Sequence, residues 1–303
     1  MHRKGLISPA AVLALALLGG PGLGVTPAYS GALATRESVE EARVALDMPS
    51  AFVTVRIAGL DVAIWRPDIS DGGRLPLIVY SAGFTACNTA SSFLAAALAR
   101  AGYIVAAPEH RDSACAGGGG EAPEAPFGKP QAWSDKTYRQ RGRDIAAVID
   151  ALKSDAQWSP RIDTNRIGLM GHSLGGYTVL GLAGAWPSWT RRDVKAVLAL
   201  APLIGPLLRK GKLENIAVPV MYQAGARDGG TTALIKRGAY DRTRAAYFVE
   251  LKGANHFAWT DSAHTSHAPI VSYALAFFEA HLKALPFARP RTDKGDVVHF
   301  KMK

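Results

Sequence analysis

One serine stands in a sequence context that is typical of a catalytic nucleophile. Ser173 lies between Gly171 and Gly175 in the pattern G-x-S-x-G. We predict a buried strand over 167–170 and an apolar helix over 174–185. Glycines allow the sharp strand-to-helix turn between them, and the helix directs its positive end at the hydroxyl. We therefore predict that Ser173 is a nucleophile, the alternative being a serine that only caps the helix.

A serine hydroxyl needs a base to take its proton, and histidine suits this role because its pKa lies near neutral pH. His256 lies in the small-residue loop that follows a predicted buried strand over 246–251. We predict that His256 is the base. His264 and His267 are the alternatives.

The imidazole in turn needs a carboxylate that orients it and stabilises its charged form. Asp228 directly follows a predicted strand over 218–224, at the same end of the sheet as Ser173. We predict that it is the acid, the alternative being a turn aspartate that caps the next helix. The other acidic candidates fall on helices, on strands or in a loop at the opposite end: Asp193, Glu214, Asp241 and Glu250.

Hydrolysis through a tetrahedral intermediate also requires N–H donors for the oxyanion. The backbone of Leu174, next to the serine, is one predicted donor. The backbone of Phe84 is the other, because the preceding Gly83 permits close approach after a buried strand over 75–80.

Strands that alternate with helices must position these residues. The apolar runs predict a mostly parallel twisted sheet of about eight strands with helices on both faces and an antiparallel hairpin at one edge. The tail over 286–303 is expected to add a late strand at 296–300 or to stay loose. The segment 113–134, with four consecutive glycines, is expected to be a flap over the site or a disordered insertion.

Two stretches carry a family resemblance. Leu77-Ile-Val-Tyr-Ser-Ala-Gly-Phe84 and Val105-Ala-Ala-Pro-Glu-His-Arg-Asp112 resemble the platelet-activating-factor acetylhydrolases and dienelactone-hydrolase-like esterases. The resemblance covers roughly 50–282. It implies the α/β-hydrolase fold, with the chain order serine, acid, histidine, and serine esterase activity through an acyl-enzyme.

The sequence departs from that family at two places. Ala82-Gly83 stands where the family commonly has His-Gly, and the stretch 199–202 lacks the carboxylate that the acetylhydrolases have there. The second departure favours Asp228 as the acid. The stretch Gly253-Ala-Asn-His-Phe257 is also similar to secreted cutinase-like polyesterases.

We therefore predict a serine carboxylic-ester hydrolase that acts on small or short-acyl esters. A cutinase-like polyester hydrolase, an amide or peptide hydrolase with the same residues, and a non-catalytic binding module are the alternatives. Phe84, Trp133 and Trp259 are expected to line an apolar acyl or aryl pocket, or else to be ordinary aromatic residues. The sequence implies no metal and no cofactor, because it contains neither an H-E-x-x-H motif nor a Cys/His cluster.

The composition limits the partners and suggests the compartment. The net charge is +10 among 303 residues, but basic residues such as Arg139, Arg141 and Arg143 are scattered, which indicates a solvated basic surface and no nucleic-acid partner. The N-terminus has a basic start, an apolar run over 6–18 that is short for a bilayer, and small residues for cleavage near 28–34.

From these features we expect a signal peptide over 1–34 and a single catalytic domain over 35–303. The mature protein is expected to have no membrane span and to be periplasmic or extracellular, the alternative being an uncleaved anchor. An exported compartment permits a disulfide between the two cysteines, Cys87 and Cys115, although two separate thiols are the other reading.

Overall fold

Nine strands form one sheet in the computed structural model, which describes residues 51–67, 72–120, 122–263, 265–291 and 295–303. The expected signal peptide and the alternative base His264 lie outside these residues. The strands run along the sheet in the order β1-β2-β4-β3-β5-β6-β7-β8-β9. Their bounds are β1 Val53–Ile57, β2 Leu60–Trp65, β3 Leu75–Ser81, β4 Ile104–Pro108, β5 Ile162–His172, β6 Val194–Leu200, β7 Val220–Gly225, β8 Ala246–Leu251 and β9 Val297–Met302.

The sheet is parallel in its centre and antiparallel at its two ends. Strands β4, β3, β5, β6, β7 and β8 pair in parallel, β1 and β2 form the predicted hairpin, and β9 pairs antiparallel to β8. The expected late strand therefore forms and is the ninth. The central strands are continuously apolar because helices cover both of their faces.

The helices divide between the two faces of the sheet. On one face, the helices Ser92–Arg100 and His267–Leu282 pack with buried side chains such as Leu94 and Phe277. On the other, Arg139–Ser154 and Leu174–Leu180 pack with side chains such as Ile145 and Tyr177. The helices are α1 Ser92–Arg100, α2 Arg139–Ser154, α3 Leu174–Leu180, α4 Gly205–Arg209, α5 Gly229–Leu234, α6 Tyr240–Arg242 and α7 His267–Leu282. None of the helices in these residues is long and apolar enough to cross a membrane.

The long segment after β4 is tied to the loop after β3. Cys87 and Cys115 form a disulfide with their Cα atoms 5.5 Å apart, which confirms that prediction. The N–H of Ala114 also donates to the carbonyl of Thr85 at 2.9 Å. Further along, the segment forms a short 3₁₀ helix, Pro130–Ala132. These contacts hold the two loops together at the carboxyl edge of the sheet.

Candidate active site

Ser173 occupies the sharp turn that the glycine pattern predicts. Its backbone has φ 54° and ψ −113°, a conformation that non-glycine residues rarely adopt. A Cβ on Gly175 would overlap the carbonyl oxygen of Ser81, and one on Gly171 would overlap the backbone of Gly175. Only glycine fits at these two positions, so the sequence itself enforces the turn between β5 and α3 that presents the hydroxyl.

The turn brings Ser173 into a hydrogen-bonded chain with the predicted base and acid. Nε2 of His256 lies 2.9 Å from Oγ of Ser173, and Nδ1 of His256 lies 2.8 Å from Oδ2 of Asp228. The three residues follow β5, β8 and β7, so the carboxyl edge of the sheet collects them. The His256 side chain is 33% exposed, so a ligand can reach the hydrogen-bonded residues.

The electrostatics of the chain favour a charged aspartate beside the ring. Burial by itself would raise the pKa of Asp228, but the hydrogen bond and charge of His256, helped by Thr231, outweigh it and lower that pKa. An ionised Asp228 holds the proton on Nδ1 of His256 and leaves Nε2 as the acceptor for the serine proton. This arrangement can activate a serine for nucleophilic attack.

Two backbone N–H groups flank the serine. Leu174 is the first residue of α3, and the first N–H groups of a helix have no partner within it. The Phe84 N–H makes no hydrogen bond within the described part of the chain. Gly83 lies against the turn, since a Cβ there would come within 3.6 Å of the Ser173 Cβ. Both residues thus lie beside the turn that carries the Ser173 hydroxyl.

His172, inside the turn, contacts the loop that carries the base. Its Nε2 lies 2.8 Å from the carbonyl oxygen of His256, to which it donates. Its Nδ1 is buried without a hydrogen-bond partner in the described residues. Burial, together with the nearby His256, lowers the pKa of His172 to about 4, so the ring is neutral at pH 7. His172 therefore links the two loops that hold the serine and the histidine.

The aromatic residues expected around the serine divide into two groups. Phe84 is 39% exposed and stacks on Phe127 with ring centroids 4.1 Å apart. Trp133 and Trp259 are fully buried, so the expectation that they line an open pocket is wrong. Their indole N–H groups donate to Pro126 and Gln223 respectively, which anchors both rings in the core.

Phe257, which the sequence did not single out as a pocket residue, is the other exposed ring at the site. It is 60% exposed, and its ring stands edge-on to that of His256 at 5.6 Å. The alternative base His267 lies elsewhere. Its Nε2 is 3.2 Å from the carbonyl of Thr260, and its ring stacks on Phe93.

A second serine–histidine–aspartate chain lies beneath the site. His110 Nε2 is 2.9 Å from Oγ of Ser81, and its Nδ1 is 3.0 Å from Oδ2 of Asp144. All three residues are buried. Burial, and then the charge of Arg141, lower the pKa of His110 in spite of its aspartate partner. No sequence pattern predicts this hydrogen-bonded chain, because Ser81 ends β3, His110 follows β4 and Asp144 lies on α2.

Arg141 departs from the expectation of a solvated basic surface. It is 2% exposed, and its guanidinium reaches the loop after β3. Among the described residues, Cys87, Glu109 and Cys115 are the one cluster with potential metal-ligand spacing, and the disulfide occupies both sulfur atoms.

A serine on a strand-to-helix turn, with an acid and a histidine after later parallel strands, is the arrangement of the α/β-hydrolase class. Two family models match the chain: platelet-activating factor acetylhydrolase, isoform II, over residues 47–125, and the prolyl oligopeptidase family over residues 89–190.

Several characterised proteins are similar in sequence. A bis(hydroxyethyl) terephthalate hydrolase of Streptomyces coelicolor is 28% identical over 285 residues, which cover 89% of this chain and 79% of that protein. A platelet-activating factor acetylhydrolase of Cavia porcellus is 28% identical over 39% of this chain, and Cutinase est2 of Thermobifida alba is 34% identical over 39%. The chain spans 34% of that acetylhydrolase and 38% of that cutinase.

These likenesses agree with the fold and with the geometry around Ser173. The chain has the α/β-hydrolase fold and is a serine esterase that acts on carboxylic esters.

Proposed function

We propose that Ser173, His256 and Asp228 hydrolyse carboxylic esters through an acyl-enzyme. The observation that carries this proposal is the continuous chain from the Ser173 hydroxyl through His256 to Asp228, open on one side. Oγ of Ser173 attacks the ester carbonyl carbon while Nε2 of His256 takes the hydroxyl proton. Asp228 stabilises the imidazolium through Nδ1.

The remaining steps use the same groups. The N–H groups of Phe84 and Leu174 hold the oxyanion of the tetrahedral intermediate. As that intermediate collapses, the alkoxide leaves with the proton from His256, and the acyl group stays on Ser173. A water molecule then gives a proton to Nε2 of His256 and attacks the acyl carbon. The acid departs, and the proton returns to Ser173.

We further propose that the preferred acyl group is small and aromatic. Phe84, whose N–H is a proposed oxyanion donor, and Phe257, whose ring stands edge-on to that of His256, both expose apolar rings. Planar groups pack well against such rings. The name of the Streptomyces coelicolor relative, a hydrolase of a terephthalate ester, supports the same class.

The test compares p-nitrophenyl acetate, octanoate and benzoate with bis(hydroxyethyl) terephthalate on the wild type and Ser173→Ala. We expect Ser173→Ala to lose hydrolysis of all four, and the wild type to favour the benzoate over the octanoate in kcat/KM. Phe257→Ala should raise KM for the aromatic esters several-fold. Phe52→Ala is the matched control, because Phe52 is 42% exposed and its ring contacts that of Trp65 on β2. Hydrolysis that persists in Ser173→Ala contradicts the proposal.

Two other substrates have specific support. The cutinase similarity favours activity on polyesters, which release of soluble acid from a polyester film would reveal. The match to the prolyl oligopeptidase family favours amides, and p-nitroanilides test this directly. We expect both rates to lie below that for a small aromatic ester.

We also propose that the protein is exported. The charged and apolar N-terminal pattern and the Cys87–Cys115 disulfide support this proposal, since disulfides persist in oxidising compartments. N-terminal sequencing of protein from the periplasm and the medium should give a start near residues 28–34. Intact protein confined to the cytoplasm would contradict it.

A further inference from the structure

Arg141 makes a set of contacts that a surface arginine would not make. From the first turn of α2, Nη1 donates to the carbonyl of Ala82 at 2.6 Å and Nη2 donates to the carbonyl of Gly83 at 2.9 Å. Nε donates to Oδ2 of Asp112 at 2.9 Å. The side chain is 2% exposed. A buried charge is costly unless it is paired and hydrogen-bonded, and here the carboxylate and two carbonyls satisfy it.

The Gly83 carbonyl belongs to the same peptide unit as the Phe84 N–H. In a planar trans peptide the C=O and the N–H point in opposite directions. When Arg141 holds the Gly83 carbonyl on one side, the Phe84 N–H must therefore point to the other side. That N–H has no acceptor in the described part of the chain, and Gly83 borders Ser173.

One other donor reaches the same carbonyl. The Ala86 N–H donates to Gly83 O at 3.3 Å, as part of the turn that follows β3. The Arg141 bond is shorter and carries a full charge, and charge-assisted hydrogen bonds are the stronger class. A cation on the carbonyl end also polarises the peptide, which makes its N–H a better donor.

We propose that Arg141 is a positioning residue that aims and polarises the Phe84 N–H as an oxyanion donor, and that Asp112 holds the guanidinium in place. This inference rests on the proposed function, in which Phe84 and Leu174 supply the oxyanion donors. It also assigns a role to Asp112, the last residue of the stretch 105–112 that carries the family resemblance: Asp112 holds Arg141 of α2, and Arg141 orients the loop after β3.

The test uses Arg141→Lys and Arg141→Met. Lysine keeps the charge but lacks the planar fork, so it cannot bond both carbonyls and Asp112 in the same geometry. Removal of one oxyanion donor costs about 10²–10³ in kcat, so we expect about a 10²-fold loss for Arg141→Met and about a tenfold loss for Arg141→Lys. KM for p-nitrophenyl benzoate should change less than threefold.

A tetrahedral mimic separates this role from a general structural one. Trifluoroacetophenone forms a tetrahedral adduct with an active-site serine and places an oxyanion in the hole. We expect its Ki to rise by the same factor by which kcat/KM falls in each variant. Arg191→Lys is the matched control, because Arg191 bonds Asp150 and Asp193 and none of the carbonyls of the loop after β3. Its kcat and Ki should equal those of the wild type.

The outcomes distinguish the positioning role of Arg141 from the proposed ester hydrolysis by Ser173. Wild-type kcat and Ki in folded Arg141→Lys would overturn the positioning role, even if Arg141→Met does not fold. A kcat loss without a matching rise in Ki would overturn it as well. Hydrolysis that survives in Ser173→Ala would instead contradict the proposed function, whatever the arginine variants do.

Discussion

Two serine–histidine–aspartate chains lie within one protein, and their distances are almost the same. In the first, Ser173, His256 and Asp228 are linked at 2.9 Å and 2.8 Å. In the second, Ser81, His110 and Asp144 are linked at 2.9 Å and 3.0 Å. A search for hydrogen-bonded distances alone would treat them as equal.

The surroundings of the two serines differ in three ways. Ser173 has the strained backbone of a strand-to-helix turn, whereas Ser81 ends a regular strand. The Phe84 and Leu174 N–H groups beside Ser173 have no acceptor among the described residues, whereas Ser81 is fully buried with its carbonyl against Gly175. The His256 ring is partly exposed, and the His110 ring is 1% exposed. Solvent access to the histidine and N–H donors beside the serine, rather than the three residue types, therefore distinguish a catalytic serine–histidine–aspartate chain from a structural one.

The largest difference should appear when each histidine is removed. His256→Ala should lower kcat by about 10⁶, because a serine hydrolase that lacks its base loses nearly all the benefit of the triad. His110→Ala should instead lower the free energy of unfolding, on the order of 3 kcal/mol, because it leaves two buried polar groups unpaired. Steady-state rates and urea unfolding of both variants test this. A loss of kcat for folded His110→Ala as large as that for His256→Ala would break the comparison.

The two aspartates should also differ, with Asp228 acting on kcat and Asp144 on stability, and with smaller effects than the two histidines. Asp228→Asn should lower kcat by about 10⁴, because the amide no longer holds the ring in the productive tautomer or balances its charge. Asp144→Asn should change kcat by less than about tenfold and act mainly on stability. A near-normal kcat for Asp228→Asn would move the role of the acid to another residue.

The disulfide should stabilise the region around the buried Ser81–His110–Asp144 chain. Cys87 and Cys115 join the loops after β3 and β4, the strands that lead to Ser81 and His110. Closing a loop of 28 residues stabilises a protein by about 3.6 kcal/mol in the chain-entropy model. Reduction should therefore lower the urea midpoint of the wild type. The double variant Cys87→Ala/Cys115→Ala, as the control, should not respond to reductant; equal wild-type midpoints with and without it would contradict the prediction.

The free energy of unfolding should decrease as the pH falls, because of His172. Burial lowers the pKa of His172 to about 4 in the folded protein, against about 6.5 when unfolded. Its neutral form stabilises the fold fully above about pH 6.5, and this contribution, about 3 kcal/mol at most, declines as the pH falls towards 4. His172→Gln keeps a donor for the His256 carbonyl and should flatten the curve. Parallel curves for the variant and the wild type would contradict this account.

Much of the fold followed from local patterns. The central strands are uninterrupted apolar runs, so the sheet and its edge hairpin could be predicted. The turn at Ser173 could be predicted because it needs its flanking glycines. Asp228 and His256 could be proposed because each directly follows a predicted strand, and parallel strands bring their carboxyl ends to one edge. Both features depend on neighbours in sequence and on one general rule of sheet geometry.

What could not be predicted depends on contacts between distant segments. Trp133 and Trp259 stand in irregular segments that look exposed, yet both indoles pack into the core. Arg141 looks like one of several basic residues on a helix, and only its register against the loop after β3 buries it. Ser81 ends β3, His110 follows β4 and Asp144 lies on α2, so no sequence spacing connects the three residues.

The most direct test of the account asks which serine reacts. The protein is treated with a fluorophosphonate until hydrolysis of p-nitrophenyl benzoate stops, digested, and mapped by mass spectrometry. We predict one phosphonyl adduct per chain, on Ser173, and none on Ser81. An adduct on Ser81 alone, or full loss of activity with Ser173 unmodified, would contradict it.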